Sequence, residues 1–398
     1  MTLYLEIRTL SLTMAVDELH KTWAKLDQLE RQERYLVERL SDIRREIKAQ
    51  KLKIDDLAKG RPPAINRLPT ELLSQIFTHC IPDPKFPEKP LHRIVGVSRR
   101  WRDVVWNNPS FWTFIKVTSD QCENGLKEQL KRSHKAFLDI WIGDWYSPIY
   151  VAYVKFYALL DTIVPHANRW RSLIISDGTS PGLVENVLRV FNHLDVPFLR
   201  EFTMDFCDNF DDLPYPDFLS PTHAPALQHL TLRSPFQLDN FVAPPTLKTL
   251  RLAFPKTDGF PPVISMLTPA QSLTSLELDG GGAVWSLKRN DLHSSLLEEL
   301  TLSLNKPVPF LEAIVAPKLR YVQCRFSDPV ELDIIEGNFR DVYDLDISFS
   351  HPVDDQGAGS LCRAFPGVRR VHLSAQETSF FMAGIHGPGI LERRPHID

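Results

Sequence analysis

The sequence predicts a mixed α/β protein in three zones: an N-terminal long helix or coiled coil, a small three-helix domain, and an irregular solenoid with short parallel strands. Three observations predict it. Residues 1–60 carry a heptad pattern with no Pro or Gly before Gly60. Residues 63–117 hold apolar helical stretches split by a Pro-rich loop. Residues 118–386 repeat a single apolar spacing nine times.

In the first zone, Leu19, Leu26, Glu33, Leu40, Ile47 and Ile54 fall at position a of the heptad. Thr22, Leu29, Leu36, Ile43, Gln50 and Leu57 fall at d. Nine of these twelve residues are apolar and their flanks are charged, which describes a coiled-coil seam rather than a broad globular stripe. The filler of Glu, Lys, Arg and Gln favours helix. Two arrangements satisfy the pattern. One is a self-associating coil, a homodimer through 19–57; the other is a single amphipathic helix folded back onto the next domain. Glu33, Thr22 and Gln50 weaken the seam in either case. "KGRPPA" (59–64) ends the helix by combining Gly with two prolines.

In the second zone, "INRLPTELLSQIF" (65–77) starts a helix at Leu68-Pro69, with Pro69 in the first turn and Glu71 at the positive end of the dipole. Leu72, Leu73, Ile76 and Phe77 make an apolar face wider than so short a helix needs. "IPDPKFPEKP" (81–90) is expected as loop. Leu91 to Val105 is expected as one further helix, stopped by "NNP" (107–109), with Phe111 and Trp112 beyond. Three short helices in this span bury little surface by themselves, so the unit is expected to lean on a partner.

The third zone repeats apolar-x-x-apolar-x-apolar, from Trp170/Leu173/Ile175 to Val368/Val371/Leu373, with starts 20 to 29 residues apart. That period is the one found in leucine-rich repeats, where each turn supplies one short parallel strand and a returning segment. Many copies follow a proline, as in "VPFL" (196–199), "APAL" (224–227) and "APKL" (316–319). Proline is expected there at a strand start, where its missing N–H costs least. "KAFLDIWIG" (135–143) alternates apolar and polar and is expected as an extra N-terminal capping strand. The tail 387–398 is expected to be disordered.

Composition narrows the function classes. Of 398 residues, 43% are hydrophobic and 24% charged, which excludes global disorder and a fibre. A net charge of −4 offers no basic balance for nucleic acid or an anionic membrane. The helical cluster Arg99, Arg100 and Arg102 with Trp101 and Trp106 reads as a solvated side opposite a packed one rather than a nucleic-acid site. No apolar run is long enough to cross a membrane, and the start, broken by Glu6 and Arg8, does not read as a signal peptide. Cys80, Cys122, Cys207, Cys324 and Cys362 form no C-x-x-C pair. Reduced thiols in the cytosol or nucleus are expected, without a disulfide framework or zinc knuckle.

No catalytic constellation stands out, and the chain is expected not to be an enzyme. There is no G-x-S-x-G elbow, no G-x-x-x-x-G-K-[ST] loop and no H-E-x-x-H. "DGGGA" (279–283) reads as a turn leaving a strand, since no Lys-Ser/Thr follows it. "DNFDD" (208–212) lacks the Gly and distal Glu of a calcium loop. No metal and no cofactor is implied. In leucine-rich repeats the residues between the core positions of each strand project outward. Here that face includes His229, Arg233, Arg251, Glu277, Tyr321 and Arg325, the candidate contacts for a protein substrate. The three arginines are also candidates to read a phosphate.

"LPTELLSQIF" (68–77) resembles the Leu-Pro-x-Glu-Leu-Leu-x-x-Ile-Phe opening of the F-box, a motif of about fifty residues. "VSRRWRDVVWNNPSFW" (97–112) resembles its Val-Cys-(Lys/Arg)-x-Trp…Pro-x-(Leu/Phe)-Trp close. Ser98 stands where Cys is usual, and the 81–90 loop is longer than in the compact form. The order of coil, F-box and irregular repeats is similar to fungal, mushroom-type F-box-like proteins. The resemblance implies a domain that docks a Skp-type adaptor and through it a cullin–RING ubiquitin ligase, with the repeats presenting an unknown protein substrate. By position, Leu68, Pro69, Leu72, Ile76, Phe77, Val97, Trp101 and Trp112 would form or support the adaptor-facing surface. Leu73, Ile94 and Val104 would be internal core.

Overall fold

The computed structural model describes residues 2–60, 64–81, 88–145, 150–176, 179–205, 213–233, 236–237, 241–254, 267–280, 288–326, 338–349, 355–373 and 396–397. Two compact units divide the chain, Met1–Ile76 and Phe77–Asp398. "DNFDD" (208–212) and residues 281–283 of "DGGGA" lie outside the described residues. So does the tail expected to be disordered, apart from His396–Ile397, which pair in parallel with Arg370–Val371.

The first unit is dominated by α1, one helix over Thr2–Gly60. It starts well before the heptad pattern because nothing in residues 2–18 breaks a helix. At 1.5 Å per residue it is about 88 Å long. A 3₁₀ turn, Ala64–Arg67, follows, and then α2 (Thr70–His79). Pro69 sits just before α2 rather than inside it, and its carbonyl accepts from Leu73 N at 3.1 Å.

The second unit begins with Phe77–His79, the end of α2, and continues with α3 (Glu88–Val97) and α4 (Arg99–Asn107). This corrects two expectations. Glu88, Lys89 and Pro90 are the first turn of α3 and not loop, since proline lacks only an N–H that a first turn leaves unpaired. Leu91–Val105 is two helices. Ser98 is extended (φ −158°, ψ 163°) and its hydroxyl accepts from Trp101 N at 3.2 Å. A serine that caps a new helix competes with continuation of the old one. Asn107 ends α4, as "NNP" predicts, and Asn108 caps a 3₁₀ turn over Pro109–Trp112.

Among the described residues a twelve-stranded parallel sheet follows, its strands neighbouring one another in chain order. We number them β1 (Phe114–Val117), β2 (Leu138–Ile142), β3 (Trp170–Ser176), β4 (Glu201–Asp205), β5 (His229–Leu232) and β6 (Thr249–Phe254). They continue as β7 (Ser275–Gly280), β8 (Glu299–Leu304), β9 (Tyr321–Phe326), β10 (Asp344–Phe349), β11 (Arg370–His372) and β12 (His396–Ile397). "KAFLDIWIG" supplies β2, so it lies one strand in from the edge. The edge is β1, which the sequence pattern leaves inside the preceding zone; at four residues it is too short for its alternation to stand out. Parallel strands need crossovers. Helices α5 (Glu123–Arg132), α6 (Tyr150–Ile163) and α7 (Pro181–Phe191) provide the first three.

All nine copies of the apolar spacing supply a strand, β3 to β11. Their second apolar positions are all buried, and so are their third except Leu373, which is half-buried; Leu230, Leu232, Leu300 and Leu302 are at 0 to 1% exposure. The residues between them stay exposed or half-buried, giving one buried and one open face of the sheet.

The segment before the strand repeats too. From Leu199 onward, the N–H of each first apolar residue donates to the carbonyl three residues earlier: Leu199 to Val196, Leu227 to Ala224, Leu247 to Pro244, and so on to Val368 on Phe365. Pro197, Pro225, Pro245, Pro317 and Pro366 each occupy the second position of such a turn. Proline's fixed φ suits it to that place, so these prolines build turns and do not begin strands. The next residue along donates to its counterpart in the preceding copy, as in Arg200 to Arg171, Gln228 to Arg200 and Lys248 to Gln228, at 2.7 to 2.9 Å. Gly280 closes β7 at φ 147°, where a Cβ would come within 2.9 Å of Phe254. Only glycine permits both.

Candidate functional site

Helix α2 carries two apolar stripes, each made of residues four apart and therefore one turn apart. Leu73 and Phe77 are buried, at 0 and 1% exposure, whereas Leu72 and Ile76 are 44 and 38% exposed. Burying a leucine or isoleucine stabilises by about 1.5–3 kcal/mol, so a pair left in water on one short helix marks an unfilled contact. Pro69 is exposed and Leu68 half-buried. Val97, the last residue of α3, is 60% exposed.

The aromatic members of the predicted surface are placed differently. Phe77 does not face outward: its ring packs 4.7 Å from Trp101 at a tilt of 50°, and Trp101 is half-buried. Trp112 donates from Nε1 to the Val105 carbonyl at 2.9 Å, and the Arg132 guanidinium stacks 4.6 Å over its ring. It therefore ties α4 to α5. Leu73, Ile94 and Val104 are buried, as expected for core.

Trp106, which the sequence pattern assigned to the packed side of α4, is instead 45% exposed. It is flanked by Arg102 at 5.7 Å and Arg132 at 5.3 Å. The i, i+4 spacing of Arg102 and Trp106 signals half of this arrangement in the sequence. Arg132 is twenty-six positions further on and gives no such signal.

Of the candidate substrate contacts on the open face of the sheet, the fold gathers three. Glu277 on β7 accepts from Arg233 Nη2 at 2.8 Å and pairs with Arg251 Nε at 3.1 Å. One carboxylate thus engages both guanidiniums, which weakens their case as phosphate readers. His229 Nδ1 lies 3.1 Å from the Thr249 hydroxyl. Tyr321 and Arg325 lie apart from that group, on β9. Burial raises the pKa of the Tyr321 phenol, and the carboxylates of Asp346, Asp344 and Glu299 raise it further. Asp344 in turn pairs with His372 at 2.9 Å and Arg370 at 3.6 Å. Among the described residues, this face carries cross-strand ion pairs.

Among the described residues no group of His, Cys, Asp and Glu is placed to hold a metal ion. Cys324 is fully buried, and burial pushes its thiol pKa far up, away from the reactive thiolate. Comparison with curated proteins found no match to this chain. The family comparison is positive over a short span, and its boundaries enclose α2, α3, α4, the Pro109–Trp112 turn and β1: residues 65–118 are an F-box-like domain.

Proposed function

We propose that this chain is a non-catalytic substrate-receptor subunit of a Skp–cullin–F-box type ubiquitin ligase. F-box domains bind Skp-type adaptors, and the F-box-like match over 65–118 is the observation that carries the reading. Leu72 and Ile76, exposed on α2, are the proposed centre of the adaptor contact, with Pro69 also exposed just before that helix. The sheet domain is read as an irregular leucine-rich-repeat solenoid. The turn, strand and copy-to-copy hydrogen bond repeated from Leu199 to Val368 support that reading. Its open face, with Arg233, Arg251, Glu277 and Tyr321, is the proposed substrate surface. The similarity in domain order extends the proposal to the fungal class. Cytosol or nucleus is the proposed location, and no described helix is long and apolar enough to cross a membrane.

Such a subunit works by proximity. Holding substrate and charged ubiquitin carrier together raises their effective concentration, with no acid, base or nucleophile supplied by this chain. The test is co-purification of the full chain with a Skp-type adaptor, before and after the double change Leu72→Lys and Ile76→Glu. Wild type should retain the adaptor, and the double variant should lose it while melting at the same temperature. Adaptor bound equally by both, or by neither, would sink the assignment.

A second reading is a repeat scaffold that acts independently of a ligase and dimerises through 19–57. The exposed seam of α1 favours it. A set of partners that still co-purify after Leu72→Lys and Ile76→Glu would support it.

A further inference from the structure

Three ion pairs along α1 sit on one side of its heptad. Lys21 pairs with Asp17 at 2.8 Å, Arg31 with Asp27 at 2.5 Å and Arg45 with Asp42 at 3.0 Å. These residues occupy the outer positions b, c and f. Among the described residues, the charges that flank the seam at e and g enter no ion pair along the helix: Lys25, Glu30, Arg39, Arg44, Glu46, Lys51 and Lys53. The seam itself is open. Its nine apolar residues are 45 to 70% exposed in the single chain, and Leu29, Leu36, Val37 and Leu40 line an apolar groove along it. A helix of this length with an open apolar stripe and unspent flanking charge is built for a helical partner.

We propose that α1 pairs with α1 of a second copy of this chain as a parallel, in-register, two-stranded coiled coil over residues 19–57. Charge complementarity selects this arrangement. In a parallel pair each g residue meets the e residue five positions on in the other copy. Lys25 then meets Glu30, and Glu46 meets Lys51, each contact occurring twice by symmetry. Arg39 against Arg44 is the one like-charged contact. Antiparallel alignment of the same span instead sets Lys25 against Lys53 and Arg39 against Arg39, with Glu30–Arg44 as its attractive contact.

The polar seam residues select the same arrangement. Parallel pairing stacks Thr22 on Thr22 and Gln50 on Gln50, so each side chain meets a hydrogen-bonding partner. Antiparallel pairing buries Thr22 against Ile54, Gln50 against Leu26 and Glu33 against Ile43, leaving polar groups facing apolar ones. The parallel pair has one unfavourable layer, Glu33 on Glu33, which a coil of six heptads carries as a register mark. Parallel pairing brings both chains out of the coil at the same end, so the two copies present their following domains side by side. This inference rests on α1 alone and does not depend on the ligase reading.

The test uses the full chain, measured by light scattering on a sizing column at micromolar concentrations and low salt. The expected mass is about twice 45.7 kDa; a monomer or a trimer overturns the proposal. Orientation is read from one charge change. Lys25→Glu places like charges at the Lys25–Glu30 contact of the parallel pair, and should weaken dimerisation roughly tenfold. Adding Glu30→Lys should restore it. In the antiparallel pair Lys25→Glu would relieve repulsion with Lys53 and tighten the dimer, a result that overturns the parallel arrangement. An unchanged dissociation constant overturns the heptad assignment. The double swap has the composition of wild type, so its recovery or failure decides the matter even if the single variant loses helix.

Discussion

Arg132, the last residue of α5, stacks its guanidinium 4.6 Å over the indole of Trp112, at the end of the F-box-like domain. The contact belongs to a wider join. Gln129 Nε2 donates to the Phe114 carbonyl at 2.6 Å, and Trp112 Nε1 to the Val105 carbonyl at 2.9 Å. Arg132→Ala should therefore lower stability by about 1–2 kcal/mol through lost cation–π contact and stem packing. Trp112→Phe should cost about 1 kcal/mol through the lost hydrogen bond. Urea titration of both variants checks this; values indistinguishable from wild type would return Trp112 to the adaptor-facing set.

Neighbouring leucines on α2 should behave oppositely. Leu73 is fully buried and Leu72 is 44% exposed. Leu73→Ala is expected to cost about 2–5 kcal/mol of stability, and Leu72→Ala no more than about 0.5 kcal/mol. Paired thermal melts decide the order, and a larger loss at Leu72 would mean the stripes are assigned the wrong way round.

Ser98→Ala should destabilise by about 1 kcal/mol, because the Trp101 N–H loses its cap acceptor. Ser98→Cys should cost less. Elsewhere in this chain a thiol does the same job, with Cys122 Sγ accepting from Gly125 N at 3.3 Å at the start of α5. Chemical denaturation of the two variants side by side tests the ranking; equal losses would show that a thiol does not replace the hydroxyl, and no loss for Ser98→Ala would show that the cap contributes nothing.

His166, in the 3₁₀ turn that follows α6, has its pKa lowered from 6.5, first by burial and then by the nearby Arg169 charge. Its folded form thus prefers the neutral imidazole. The unfolded chain takes up this proton first as pH falls below about 6.5, so the contribution is complete above that value and is lost as pH drops through the lowered folded value. His166→Gln should flatten this part of the stability–pH curve. Melting temperatures collected between pH 7.5 and 5 provide the check, and parallel curves for the two proteins would exclude His166 as the cause.

Glu277 on β7 joins Arg251 on β6 and Arg233 just past β5, and all three side chains are partly in water. Glu277→Gln should lower stability by less than about 1 kcal/mol at low salt, and by nothing measurable at high salt. Melts at two ionic strengths test it. A salt-independent loss would point to packing in place of charge.

Periodic features were legible in the sequence. The nine apolar copies became nine strands because period-2 alternation writes buried and open faces directly into residue order. The F-box-like segment was legible because Leu72, Leu73, Ile76 and Phe77 mark two adjacent helical stripes. The resemblance puts Leu72 and Ile76 outward and Leu73 in the core, in line with their burial; that Phe77 turns inward was not legible, because its contact with Trp101 is set by packing. The break at Ser98 was missed because Leu91–Val105 keeps a helical pattern on both sides of it. The turn prolines were missed because Pro before a strand suits an extended start and a turn equally well.

The sequence by itself determined the order of the elements, the heptad seam of α1 and the repeat of β3 to β11, since each depends on spacing along one chain. Only the tertiary structure decided that Phe77 turns inward to Trp101, that Trp112 lies under Arg132, and that one carboxylate, Glu277, engages both Arg233 and Arg251. Those contacts join residues 20 to 44 positions apart. Their partners are chosen by how the elements pack, and residue spacing carries no record of that choice.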